Sequence, residues 1–283
     1  MSFPTEPAET TTPTTVPHPV EVGVWGPPEV KPLPKPSLWD VAMGYGFIIF
    51  LPLLPAIFIM ILVVSSATST NPETISTEVS DALTKSGPGI MVALMATWLA
   101  MILPVWLAGR KMVGGWKALV KWTVKWKQDV LIAVGFTVTL TALLAIVSQI
   151  ITLFGVDPNS LGNTGLVTDQ KGIWLLLVAA GAVIGAPLAE ELFFRGLFFN
   201  VLAQKFYDRK WGVPIAIIIS SFGFGILHVQ ATLAASIYTI SVTTFLGMCL
   251  AFLYNRTQRL GTTILAHSLF NFTGVVLALV FSS

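Results

Sequence analysis

Seven apolar runs follow one another between residue 41 and residue 281, at about 41–64, 88–109, 129–154, 173–203, 213–229, 232–254 and 261–281. Most approach the roughly 20 residues a helix needs to cross a bilayer. In lipid every backbone amide and carbonyl must be satisfied within the protein, which leaves helices as the form such runs can take. The fourth run is overlong: about 31 residues at about 1.5 Å each exceed the roughly 30 Å hydrocarbon thickness. The fifth is short, and only a few residues around Gln230 part it from the sixth. The expected fold class is all-α, a polytopic membrane protein of about seven transmembrane helices.

Composition agrees. Hydrophobic residues make up 54% of the 283 and charged residues only 11%, against roughly 25% charged in soluble domains. So few charges could not cover the surface of a soluble protein of this length. That excludes an ordinary cytosolic enzyme, a disordered chain and a nucleic-acid binder. The one cysteine, Cys249 in an apolar run, excludes a disulfide framework and a cysteine-based zinc site.

Residues 1 to about 36 are a different material, holding ten of the 18 prolines interleaved with threonine. Missing amide donors and scarce apolar anchors predict a disordered Pro/Thr-rich tail (1–36) before a transmembrane domain (37–283). The tail lacks the basic start and short apolar run of a signal peptide. With the amino terminus in the cytoplasm, 13 of the 16 basic residues fall on the inside. The positive-inside rule therefore predicts the amino terminus in and the carboxyl terminus out. A long tail without organelle targeting suits a bacterial plasma membrane. WKALVKWTVKWK (116–127) repeats Lys117, Lys121 and Lys125 every four residues among tryptophans. It reads either as a helix lying in the headgroup layer, its lysines towards anionic lipid, or as a plain basic loop.

Ionisable side chains cost roughly 2.5–3.5 kcal/mol each at the centre of a membrane helix on insertion scales. Five lie well inside the runs: Glu190, Glu191, Arg195, His228 and His267, with Asn271 as a buried amide. Glu191 and Arg195 share a helical face at i,i+4 and pair naturally, whereas Glu190 points about 100° away without a local partner. Phe224 and His228, and His267 and Asn271, are likewise four apart. Two histidines, an unpaired glutamate and an asparagine from separate helices are expected to converge on one cavity. Counting from the basic ends puts Glu190 and His228 about 21–23 Å deep, His267 about 9 Å and Asn271 about 15 Å. Tilt and stagger would have to close that gap.

Such a cavity suggests hydrolysis. A carboxylate and an imidazole can polarise a water, and a second imidazole and an amide can donate to an oxyanion. Equally, Glu190, His228 and His267 would make a two-histidine, one-carboxylate zinc site. There is no HExxH, Gly-x-Ser-x-Gly or Gly-x-Gly-Asp. Pro187 removes the amide that would bond the Val183 carbonyl, so a kink and freed backbone groups are expected beside the site. Gly181 and Gly185, and Gly223 and Gly225, permit close helix approach.

In order along the chain, EELFFR (Glu190, Glu191, Arg195), FGILH (Phe224, His228) and HSLFN (His267, Asn271) resemble the type II CAAX prenyl endopeptidases. They equally resemble the bacterial CAAX-protease and bacteriocin-processing family of intramembrane proteases. The resemblance covers about residues 170–280. It implies an all-helical intramembrane endopeptidase acting on a membrane-associated protein or peptide. Glu190 and His228 would activate water, and His267 and Asn271 would serve the oxyanion. Glu191 and Arg195 fall at supporting positions and Phe224 belongs to the same block. The family has been described both as metal-dependent and as glutamate-dependent. Asparagine suits an oxyanion hole better than it suits zinc, which favours glutamate chemistry. Two other functions remain open on the residues: a proton-coupled transporter or relay, and a non-catalytic immunity or scaffold protein. No second copy of the motifs supports an internal repeat of the transporter kind.

Overall fold

A computed structural model describes residues 36–69, 71–112, 114–153 and 165–281. The expected tail falls almost wholly outside these. Every regular element among the described residues is helical: α1 (Leu38–Phe50), α2 (Leu53–Ser66), α3 (Pro72–Thr84), α4 (Gly87–Gly109), α5 (Gly115–Val120), α6 (Trp126–Leu153) and α7 (Gly165–Thr168), then α8 (Gly172–Lys205), α9 (Gly212–Ile226), α10 (Leu233–Thr257) and α11 (Leu260–Phe281). Among the described residues six spans are long and apolar enough to cross a membrane, with α1 and α2 forming one of them, against the seven expected; the seventh run is the shorter α9. The chain is an integral membrane protein of the all-α polytopic class.

Each boundary has a local cause. Asp40 caps the start of α1, accepting the Ser37 amide at 2.7 Å. Pro52 and Pro55 interrupt the first span where α1 gives way to α2. Ser86 accepts the Gly89 amide at 3.1 Å to open α4, and Thr232 accepts that of Ala235 at 3.2 Å to open α10. Gln258, at φ 53°, ends α10 in the left-handed conformation.

Helix α8 is the axis of the bundle. Every residue from Glu191 to Ala203 is buried, and its phenylalanines pack against α1, α4, α9 and α10. Small residues let the neighbours in. Trp98 of α4 lies over Gly181 and Gly185, where an added Cβ would meet its ring at 3.0 and 2.5 Å. Tyr45 of α1 crosses Gly223, and Thr244 of α10 crosses Gly225. By contrast α2 has no buried residue, and α6 leaves Leu131, Val138 and Ile146 exposed, as lipid-facing surfaces require.

Two expectations need correction. The fifth apolar run does not continue to residue 229: α9 ends at Ile226 after 15 residues, and Leu227 and His228 form a turn bonded back to Phe224 and Gly225. The segment 116–127 is not a single headgroup-layer helix; beyond Val120 it is a loop carrying exposed lysines, and it is tied into the bundle. Helix α5 has only six residues and stops at Lys121, whose φ is 52°. Leu119 and Val120 are fully buried, with Val120 against Gly196. Their carbonyls accept from Asn200 Nδ2 at 3.0 Å and from the Tyr254 hydroxyl at 3.4 Å. Two apolar side chains and two buried donors outweigh the lysine periodicity. Lys121 reaches Gln258 with its ammonium, and burial pushes that ammonium's pKa down.

Candidate active site

The central segment of α8 departs from α-helical geometry twice, with π-helical turns over Gly181–Gly185 and Leu192–Phe199. Such turns frequently mark functional sites. In the first, the Ala186 amide donates to Gly181 O, five residues back. The next carbonyl, Ala182 O, would need the amide of residue 187, which is proline. That carbonyl is therefore orphaned by the helix. Asn271 of α11 supplies the missing donor, Nδ2 to Ala182 O at 2.9 Å. The expected release of backbone groups by Pro187 is present, but on Ala182 rather than Val183, because the π register shifts the pairing by one residue.

The two glutamates occupy different settings. Glu191 is fully buried and forms an ion pair with Arg195, Oε1 to Nη1 at 2.8 Å. Arg195 also donates to Gly247 O at 3.2 Å and lies 5.0 Å from the Phe224 ring centroid. Glu191 Oε1 further accepts from His267 Nδ1 at 2.9 Å. Glu190 is 14% exposed at its side chain and faces the other imidazole nitrogen, Oε2 to His267 Nε2 at 3.7 Å. His267 is thus held between the carboxylates. A carboxylate accepts, so Nδ1 carries a proton, and in the neutral ring Nε2 is left with a lone pair towards Glu190.

His228 is fixed by the same logic. Its Nδ1 lies 3.0 Å from Phe224 O, which can only accept. Neutral His228 therefore keeps Nε2 as an acceptor. Phe224 is the wall that orders both rings, with centroids 4.8 Å from His228 and 6.0 Å from His267.

Glu190, His228, His267 and Asn271 all line one cavity of about 440 Å³. The gap in depth between His267 and Glu190 is closed, so equal starting levels for the three helices were the wrong assumption. Thr239 and Thr243 of α10 line the cavity too. Isolated threonines in an apolar helix gave no sequence signal for this. Asp40 and Asp129 were also missed, because they sit near helix ends. Each is buried in an ion pair at 2.5 Å, with Lys111 and Arg259 respectively.

The Glu190–His267 separation suits two ligands of one ion. However, among the described residues no three of His, Cys, Asp or Glu group closely enough to hold a metal, and His228 does not complete such a group.

These features define a polytopic membrane protein whose helix bundle holds a largely apolar chamber with a cluster of polar side chains in its wall. Residues 172–273 match the family described as type II CAAX prenyl endopeptidase Rce1-like. "Putative membrane peptidase YdiL" of Bacillus subtilis (strain 168) is 32% identical over 127 residues, 45% of this chain and 47% of that protein. The match thus spans about half the length of that relative. An "Uncharacterized protein" of Mycoplasma capricolum subsp. capricolum (strain California kid) is 26% identical over 253 residues, 85% of this chain and 68% of its own. No solved structure matches. The likeness to the type II CAAX prenyl endopeptidases covers residues 172–273, the stretch that holds Glu190, Glu191, Arg195, Phe224, His228, His267 and Asn271.

Proposed function

We propose that this protein is an intramembrane endopeptidase. It hydrolyses a peptide bond of a membrane-associated protein or peptide in a bacterial plasma membrane. One observation carries the reading: Glu190, His228, His267 and Asn271, from separate segments of the chain, line a single cavity beside the buried Glu191–Arg195 pair.

Water bound between Glu190 and His228 Nε2 loses a proton to this pair as its oxygen attacks the scissile carbonyl. Negative charge then develops on the carbonyl oxygen. Asn271 has one amide hydrogen engaged by Ala182 O and a second free to donate to that oxyanion. His267 can donate there only with both nitrogens protonated. Glu191 at Nδ1 and Glu190 near Nε2 hold the ring in place to do so. The proton returned to the leaving nitrogen balances the reaction: one water is consumed, and one carboxylate and one amine are formed. Glu190 supplies the base, so the chemistry is of glutamate type.

The test uses purified protein in liposomes, host membrane proteins as substrates and ¹⁸O-labelled water. Wild type should generate new carboxyl termini carrying ¹⁸O, and Glu190→Gln should generate none while retaining its helical content. Equal labelling by both proteins would overturn the mechanism.

A further inference from the structure

His228 lies beyond the regular part of α9. That helix ends at Ile226, and the chain crosses to Leu233, where α10 opens, through residues 227–232. A side chain on such a turn has no helix to aim it. The bonds made by the turn therefore decide where the imidazole stands.

Two sets of bonds hold it. On the α9 side the His228 amide donates to Gly225 O at 2.9 Å, and Nδ1 donates to Phe224 O at 3.0 Å. On the α10 side Gln230 Nε2 donates to His228 O at 3.1 Å. Gln230 is itself gripped by one side chain. Its amide donates to Ser236 Oγ at 2.9 Å, and the same hydroxyl donates to Gln230 O at 3.0 Å. A hydroxyl carries one hydrogen and two acceptor lone pairs, so a single serine serves both backbone groups of residue 230.

This is not what a serine within a helix usually does. Such hydroxyls commonly return to the carbonyl four residues back. In α10 Ser241 does so with Ile237 O and Thr243 with Thr239 O, both at 2.7 Å. The Ser236 amide keeps the helical register, donating to Thr232 O at 2.9 Å, while its hydroxyl reaches out of the helix to the turn. Ser236 is only 8% exposed, so solvent is a poor replacement for its oxygen. Helix α10 is a firm anchor for it: Leu246, Gly247, Leu250 and Ala251 are buried, and Gly247 O accepts from Arg195 at 3.2 Å.

We propose that Ser236 is a positioning residue, whose hydroxyl ties the turn bearing His228 to the start of α10 and so sets where His228 Nε2 stands in the chamber. The same helix then holds both Arg195 and, through Gln230, the histidine that shares the water with Glu190. The effect on hydrolysis rests on the peptidase reading; the tie itself does not.

Two measurements on the full chain in liposomes test it. The first is amide hydrogen exchange. In Ser236→Ala the peptide holding Gln230 should exchange at least about tenfold faster than in wild type, with exchange across α8 unchanged. Ser241→Ala is the control and should leave both peptides as in wild type. The second is the rate at which host membrane proteins gain ¹⁸O-labelled carboxyl termini. A displacement of about 1 Å at a reacting group can cost about a hundredfold in rate. Ser236→Ala should therefore lose about tenfold to a hundredfold, and raising the substrate load about tenfold should not recover it, since the loss is in kcat. Ser236→Thr, which keeps the hydroxyl, should restore most of the rate. Gln230→Ala cuts only the side-chain bond to His228 O; it should slow cleavage less, and it replaces Ser236→Ala should that variant not fold. Unchanged exchange at Gln230 overturns the tie. Faster exchange with a wild-type rate, or a loss recovered by more substrate, overturns the positioning role. A wild type that cleaves nothing refutes the peptidase reading and the positioning role with it, while the exchange result still decides the tie.

Discussion

Asn271→Ala should lose stability only where Pro187 is present. In the wild type the Asn271 amide is the donor to Ala182 O at 2.9 Å, because Pro187 lacks the N–H that would otherwise serve that carbonyl. Removing one partner of a buried hydrogen bond costs about 1–3 kcal/mol in water-soluble proteins. Interhelical bonds within membranes average about 0.6 kcal/mol, with a maximum near 1.7. The two ranges meet at about 1 kcal/mol for Asn271→Ala. Pro187→Ala restores a backbone donor, either to Ala182 O directly or by returning the turn to α-helical register. In that background Asn271→Ala should cost close to nothing. The coupling energy between the two sites is therefore about 1 kcal/mol, and equilibrium unfolding of the four proteins in mixed micelles measures it. Equal losses from Asn271→Ala in both backgrounds would refute the reasoning, and Asn271 would then act on the chamber alone.

Arg195→Met should destabilise the protein by about 3–5 kcal/mol, because it leaves Glu191 buried and uncompensated. Adding Glu191→Gln should recover most of that loss, and an Arg195→Met protein as stable as wild type would contradict the pairing. Lys121 has a folded-state pKa lowered by burial. The unfolded chain therefore binds more protons between that pKa and the ordinary lysine value of 10.5, and stability rises with pH through that window. Unfolding measured against pH should show this rise in wild type and a smaller one in Lys121→Met; identical slopes would count against it. On the proposal that Glu190 supplies the base, proteolysis in liposomes should survive dialysis against a strong chelator, and loss restored by zinc would reverse that assignment.

The membrane class was legible because hydrophobic run length depends only on the thickness of lipid, and the six long spans lie where the runs do. Convergence of the site residues was legible too, since each ionisable group inside lipid demands a partner. Depth was not. Counting residues from loop to side chain takes helices as parallel and level, and His267 within 3.7 Å of Glu190 shows that they are not. Nor was the carbonyl partner of Asn271 legible: the sequence shows Pro187 but not the π turn that moves the vacancy from Val183 to Ala182. The lysine repeat over 116–127 misled for a similar reason. Its period describes an isolated helix, whereas burial of Leu119 and Val120 under α8 and α10 determines the fold there.

Protein termini in host membrane fractions give the most direct test that this protein is a Glu190-dependent peptidase. Strains would carry the wild type, a deletion, or Glu190→Gln at matched expression. The account predicts a set of new amino and carboxyl termini present with the wild type and absent from both other strains. Termini that persist in the Glu190→Gln strain but vanish in the deletion would contradict it.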